Sequence, residues 1–487
     1  LKRFRSRVPG LGHQLSVDHC TSHIPIPIPM VHPVITGIAT GIGLLTDKYM
    51  LGATNFVEHY AVEFHATDAQ KDFVKSAMYG GAILGMIVMG PLSDIVGRRV
   101  GLILCSIITL VGALLSTFAW GENALIAARI ITGVGMGGEY PLASSHSAES
   151  SEDAGDGARN VALLYLFGSG GGQALCPLVT YLMDVSGVPE HLLWRWIFAV
   201  GSILSGFGLL LRILTTKDSQ KFKEGKKAEI EHKETTVSLL LPYWRPLLGT
   251  AGCWFLYDIV EYGLKQNDAA IFEAGTDAAY SQSVLDVFFT RLLVIPSLIV
   301  APWLLSKTSS KRVQFIGFAG CAVANFILAV AYGPLKEISA LFFTLYIVQL
   351  SFQSLPGVTT MAISAEIYPS MVRGTGAGIS AACGKVGATL GSYVFSELKN
   401  QGHIGAIFVT VTATSVAALG LTLVTIPFYN GHTLDAADML ARDGKPREAV
   451  RVLFSGPLNG DGSKSLAYDS DEISTDDETL PDASDDA

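Results

Sequence analysis

Twelve apolar runs punctuate the chain, at about residues 34–53, 73–93, 100–119, 124–144, 161–183, 195–214, 246–264, 285–305, 313–333, 338–360, 374–396 and 404–428. Each approaches the ~20 residues that an α-helix needs to cross the hydrocarbon core of a bilayer. Polar residues are confined to short connections, with one exception. Thr215 to Trp244 carries Lys217, Lys221, Lys223, Lys226, Lys227 and Lys233 and separates six runs from six. The pattern predicts an all-α membrane protein of twelve transmembrane helices: an N-terminal tail (1–33), a six-helix bundle (34–214), a central loop (215–244), a second six-helix bundle (245–428) and a C-terminal tail (429–487).

The connections also differ in charge. Arg98 and Arg99, Arg159, the central lysines, Lys307, Lys311, Arg312 and Arg373 all fall in even-numbered connections. The odd-numbered connections 54–70 and 268–284 carry Glu58, Glu63, Asp68, Asp268, Glu273 and Asp277 with no Lys or Arg. Because Lys and Arg accumulate on the cytoplasmic side, both termini and the central loop are expected there, with the plasma membrane as the host. Transporters built from two related bundles share this layout and bind their solute near the midplane between the halves.

Composition sharpens the picture. Hydrophobic residues make up 49% of the chain and charged ones only 16%, with a mean hydropathy of +0.40, which is more apolar surface than a soluble core can bury. The net charge of −9 is matched by nine acids near the C-terminus: Asp469, Asp471, Glu472, Asp476, Asp477, Glu478, Asp482, Asp485 and Asp486. The remainder is balanced, so no nucleic-acid surface is expected, and the tail reads as solvated and disordered. Cys20, Cys105, Cys176, Cys253, Cys321 and Cys383 are scattered without metal-ligand spacing, so no metal or other cofactor is expected. The early stretch His23 to Met30 is too rich in proline for a cleaved signal peptide.

Four segments carry chemistry. Gly90-Pro-Leu-Ser-Asp94-Ile-Val-Gly97-Arg98-Arg99 closes the second run, where two glycines permit a tight turn and an acid can pair with arginine. Arg129 to Pro141 places Glu139 beside Tyr140 deep in an apolar run, and an acid there is costly and by default functional. Trp254, Asp258 and Tyr262 recur at four-residue intervals, which puts them on one helix face. Lys385 is the one cation inside the eleventh run; its glycines do not have the spacing of a phosphate-binding loop before a helix.

The first segment resembles the signature of the major facilitator superfamily. The second is similar to the GxGxGG(D/E)YP stretch of that superfamily's phosphate:proton symporter branch, which includes the glycerophosphodiester permeases. Trp254, Asp258 and Tyr262, and the Ser380 to Ala388 segment around Lys385, match the same branch, as does Asp47 in Gly41 to Tyr49. The resemblance spans about residues 34–428. It implies a major facilitator fold and a phosphate or organophosphate anion as solute. It further implies Tyr140, Gln173, Trp254, Asp258, Tyr262 and Lys385 as solute contacts, Asp47, Glu139 and Asp258 as proton carriers, and Asp94, Arg98, Arg99 and Arg129 as gate or latch residues. Lys48, unusual beside Asp47, is expected to snorkel or pair with it.

The chain also departs from the inorganic-phosphate pattern. Gly170 stands where the branch has Gln, with Gln173 three residues on; Gly357 follows Pro356 where Asn is usual; Ala377 replaces a His. Glu139 in place of Asp, and Ala148-Glu149-Ser150, look more like the glycerophosphodiester permeases, while Glu366-Ile-Tyr-Pro369 keeps the phosphate type. Inorganic phosphate is the favoured expectation. A glycerophosphodiester, accommodated by space at Gly170, Gly357 and Ala377, is the alternative, and a nutrient receptor signalling through the loop and tail is a third reading. No nucleophile and base combination suggests an enzyme.

Overall fold

In lipid each backbone polar group must find its partner within the segment, and every one of the apolar runs is helical. The computed structural model describes residues 33–151, 156–232, 235–267, 280–336 and 338–458. The spanning helices are α1 (Pro33–Gly52), α2 (Asp68–Val96), α3 (Arg98–Thr117), α4 (Glu122–Glu149), α5 (Gly157–Val185) and α6 (Glu190–Thr215). After the central segment come α7 (Trp244–Lys265), α8 (Tyr280–Lys307), α9 (Ser310–Val330), α10 (Ser339–Glu366), α11 (Arg373–Asn400) and α12 (Ile404–Thr425). Several exceed their apolar runs because the helix continues past the hydrocarbon into polar sequence. Leu84, Ile87, Ile203, Leu214, Val323, Phe326, Val409 and Val416 stay exposed, as a lipid-facing surface requires.

Eight of these helices are apolar enough to qualify as spans on composition alone. The other four, α1, α4, α7 and α11, contain Asp47 and Lys48, Arg129 and Glu139, Asp258 and Glu261, and Lys385, all buried. Glycine lets these helices pack tightly. On α11 a Cβ at Gly384 would collide with the Trp254 ring, and one at Gly387 or Gly391 with the Phe255 or Ile259 carbonyl of α7. Helix α2 meets α4 in the same way, Gly81 and Gly85 lying on the carbonyls of Ile130 and Val134. The two six-helix bundles meet where α2 packs on α11 and α5 on α8. A π-helical turn, Leu166–Gly172, interrupts α5, and Gly168 and Gly172 in it lie against Leu44 and the Leu45 carbonyl of α1.

The tail departs from its expected disorder. Residues 431–454 form α13 (Gly431–Arg442) and α14 (Pro446–Phe454). Thr433, Ala437 and Ala441 recur every four residues on the buried face of α13, which packs with Tyr368, Met371, Val372, Ile426 and Tyr429. The sequence reading weighted the acids of the far tail and passed over this helical period. Asp438 accepts a hydrogen bond from the Ser370 backbone N–H (2.7 Å). Arg442 pairs with Asp438 (2.6 Å) and with Glu224 (2.9 Å) of the central helix Gln220–His232. The N-terminal stretch 1–32, the loop with Asp268, Glu273 and Asp277, and the acids from Asp469 to Asp486 lie outside the described residues.

The packing of α7 on α11 predicts that Gly391→Val destabilises the protein by about 1–3 kcal/mol, the usual cost of overpacking. Thermal unfolding of the detergent-purified variant should begin several degrees below wild type; an unchanged transition would mean the two helices are not held this closely.

Candidate functional site

The close approach of α11 to α7 brings Lys385 onto the face of Asp258 and Tyr262. Its ammonium donates to Asp258 Oδ2 (2.7 Å) and to Tyr262 Oη (2.8 Å). The Lys385 and Asp258 side chains are only 1% and 2% exposed. Trp254, one turn earlier on α7, completes this face. From the other bundle come Tyr140 of α4, Tyr165 of α5 and Lys48 of α1. The Lys385 ammonium lies 5.5 Å from the Tyr140 ring centroid, and that of Lys48 lies 4.9 Å from the same ring. These residues, with Tyr257, Glu261, Gly357 and Met361, line a small central cavity.

Lys48 therefore faces the centre of the protein, neither snorkelling nor pairing with Asp47. The space beside Gly357 is not vacant either. The hydroxyls of Tyr165 and Tyr257 meet there at 3.1 Å, and a Cβ on Gly357 would collide with both. Gly170 faces Leu166, Ile295 and Leu298 instead of the cavity, and Ala377 is fully buried. At Gly357 the two tyrosine hydroxyls take the expected space, and Gly170 opens onto Ile295 and Leu298 of α8 rather than onto the central cavity.

Gln173 stands outside the central cavity. It lines two adjoining cavities toward the far end of α7, away from the central loop, with Lys265 and Arg291. Lys265 donates to Gln173 Oε1 and pairs with Glu261, which also accepts from Gln353 (2.9 Å). Lys265, Arg291 and Gln353 were not singled out from the sequence, and Glu261, read as facing elsewhere, lines the central cavity.

Glu139 also departs from expectation. One residue from Tyr140, it points about 100° further round α4 and pairs with Arg212 of α6, both fully or almost fully buried. Arg212 is held by Ser106 Oγ (2.8 Å). Asp47 lies beside this pair, and Gly43, one turn before it, leaves room for the Arg212 guanidinium and the Glu139 carboxylate. Asp47, Glu139 and Arg212 thus form a cluster inside the first bundle, separate from the central cavity. Arg212 was detectable by the test that drew attention to Glu139, a charge within an apolar run.

The gate residues divide. Asp94 of α2 reaches across to the second bundle and accepts from the N–H groups of Gly374 (3.1 Å) and Thr375 (2.8 Å) and from Thr375 Oγ1 (2.7 Å). It serves as an N-cap on α11 supplied by another helix, satisfying orphan donors at the positive end of the helix dipole. Arg98 pairs with Asp94 (2.6 Å) and with Glu149 (3.1 Å), which also meets Arg373 (3.4 Å). Arg99 is exposed, and its backbone N–H alone donates to Asp218 (2.8 Å). Arg129 lies about 30 Å along α4 from Glu149 at 1.5 Å per residue. It contacts the Met50 carbonyl (3.2 Å), Thr54, Met78 and the Phe198 ring. It ties the far end of the first bundle together, away from the central-loop side where Asp94 and Arg98 lie.

Two helical bundles around a midplane cavity lined by paired charges, closed by polar contacts on one side, define a membrane carrier. The chain belongs to the Major Facilitator Superfamily, whose profile matches residues 38–392. Among named relatives, the inorganic phosphate transporter PT2 of Toxoplasma gondii is 32% identical over 72% of this chain, which spans 63% of that relative's length. Glycerophosphoinositol permease 1 of Candida albicans is 27% identical, covering 82% of this chain and 80% of the relative. The inorganic phosphate transporter PHO84 of Saccharomyces cerevisiae is 27% identical over 74% of each. A solved structure of the proton:xylose symporter XylE, bound to a bromodeoxyglucose, superposes with a TM-score of 0.73 at 19% identity, covering 81% of this chain and 96% of that one.

The Asp94 cap predicts that Asp94→Asn loosens the central-loop side. Ser145, buried on α4 one turn before Glu149, supplies the probe. In a cysteine-free background, a cysteine at Ser145 should react with a soluble maleimide severalfold faster when Asp94→Asn is present. Equal rates would remove Asp94 from the latch.

Proposed function

We propose that this chain is a proton-coupled symporter that imports inorganic phosphate across the plasma membrane by alternating access, with both termini in the cytoplasm. The observation that carries the reading is Lys385, buried in the central cavity and shared between Asp258 and Tyr262. A tetrahedral oxyanion needs a cation and hydroxyl or N–H donors in a dry site; Lys385, Tyr262, Tyr140 and Trp254 are suited to provide them. Asp258 competes with the anion for Lys385. A proton taken up by Asp258 frees the ammonium for phosphate, and loss of that proton favours release, so the two load and leave together. Asp47 and Glu139, two carboxyls facing one guanidinium, are further proton carriers in this scheme. The relatives named as inorganic phosphate transporters support the substrate.

An organophosphate such as a glycerophosphodiester is the second reading, favoured by the relatives named for glycerophosphoinositol. Its structural case rested on extra room, and the Tyr165 and Tyr257 hydroxyls occupy the space at Gly357. Inorganic phosphate is therefore preferred. The Arg and Lys of the central-loop side favour a cytoplasmic placement of that side.

Proteoliposomes with an inward proton gradient should accumulate radiolabelled phosphate faster at acidic than at neutral external pH, and Asp258→Asn should flatten that dependence. Robust uptake of an uncharged sugar, with none of phosphate, would refute the substrate assignment. Gly357→Asn should lower phosphate uptake severalfold by separating Tyr165 from Tyr257. Improved phosphate uptake by that variant would instead mean that the position holds usable space.

A further inference from the structure

Lys48 is 3% exposed and lines both the central cavity and its outward neighbour. The acids around it already have partners: Asp47 turns to Glu139 and Arg212, Asp258 pairs with Lys385, and Glu261 with Lys265. Among the described residues no carboxylate pairs with Lys48. Its ammonium lies over the rings of Tyr140 (4.9 Å) and Tyr165 (5.4 Å). Aromatic faces meet part of the need of a desolvated cation, but a buried charge still calls for an opposite charge.

We infer that Lys48 receives the transported anion directly and selects a phosphate able to carry two negative charges, orthophosphate or a phosphomonoester, over a phosphodiester. This rests on the phosphate reading above and deepens it. Asp258 faces Lys385 from α11, Tyr262 and Glu261 from its own helix, Lys48 from α1 and Tyr140 from α4. While Asp258 is ionised it neutralises Lys385, and Lys48 is left as the one uncompensated cation of the central cavity. Once Asp258 takes a proton from the solution, both ammoniums face the cavity and present two positive charges. Orthophosphate, with three ionisable oxygens, and a monoester, with two, can each carry two negative charges and match both. A diester has one and leaves an ammonium unpaired in a dry site, which is how a site rejects a near-analogue.

The test uses the full-length protein in proteoliposomes, as wild type, Lys48→Met, Lys48→Gln and Lys48→Arg. It measures uptake of radiolabelled orthophosphate and its inhibition by glycerol 3-phosphate, a monoester, and by glycerophosphoinositol, a diester. Wild type should be inhibited about tenfold more strongly by the monoester than by the diester. Lys48→Met should raise the half-saturating orthophosphate concentration about tenfold while the diester's inhibition changes by less than about threefold, and Lys48→Arg should recover much of the loss. Should Lys48→Met fail to elute as a monodisperse peak, Lys48→Gln is read in its place. Protection against thermal unfolding by orthophosphate, measured on every variant, separates binding from turnover. An unchanged half-saturation in Lys48→Met, or equal weakening of orthophosphate and diester, would overturn the role of Lys48 alone. Wild-type liposomes that take up no orthophosphate and show no protection by any of the three would overturn the phosphate reading itself, and this inference with it.

Discussion

The structure is organised around the cost of placing charge in a medium without water. Lys385 and Asp258 sit deep in the second bundle, and removing one partner of such a pair typically costs about 3–5 kcal/mol. Their geometry depends on α11 approaching α7 within backbone contact, which Gly384, Gly387 and Gly391 permit. Because the pair lies within one bundle, it need not be rebuilt whenever the bundles rock. Arg212 with Glu139 in the first bundle obeys the same rule. Asp258, Lys385 and Glu139 sit on the less apolar helices α7, α11 and α4, while Arg212 sits on α6, which is apolar enough to span in spite of it; in each case the interior of the protein and not the lipid receives the charge.

Contacts between the bundles are of another kind. On the central-loop side Asp94 caps α11, and Glu149 joins Arg98 to Arg373. The end of α10 mirrors this arrangement: Glu366 lies at the start of α5, close enough to Gly157 that a Cβ there would meet its carboxylate at 2.6 Å. Each bundle thus offers an acid to the N-terminus of a helix in the other. Exposed helix N-termini and carboxylates are well solvated, so water can replace these bonds when the halves part. A latch made this way holds one state without making the other prohibitive, as a two-state carrier needs.

Legibility in the sequence followed the range of the interaction. The helices were readable because length and apolarity are local properties, and Trp254, Asp258 and Tyr262 share a face by helical period alone. Lys385 was found as a lone charge in an apolar run. What failed to show was which partner each buried group chooses. Tyr165 meets Tyr257 across 92 residues, and nothing in local spacing announces it. Gln173 was assigned to the centre although it lies one cavity outward, and Arg129 was assigned to the latch although it occupies the opposite end of α4. Lys48 was read against its sequence neighbour Asp47, yet adjacent residues on a helix diverge by about 100°, and these two serve different clusters. The helices of 431–454 were visible in the four-residue spacing of Thr433, Ala437 and Ala441 but were outweighed by the acidity further on.

Two helices connect the latch to the cavity. Helix α11 begins at the residues that Asp94 caps and carries Lys385 about 18 Å further along its axis, twelve residues at 1.5 Å each. Helix α4 carries Tyr140 at the cavity and Glu149 at the latch. A helix of this length moves as a rigid rod, so displacement of the α11 N-terminus from Asp94 must tilt Lys385 relative to Tyr140 and Lys48 of the other bundle. An anion held between Lys48 and Lys385 would draw the bundles together at the centre. Its departure returns two like charges to one cavity, which their repulsion resolves by separation or by the return of Asp258 to Lys385. In the proposed cycle that carboxylate is therefore the element that lets the empty carrier close again: with Asp258 ionised, Lys385 is neutralised within its own bundle, and Lys48 alone retains a charge for the next anion.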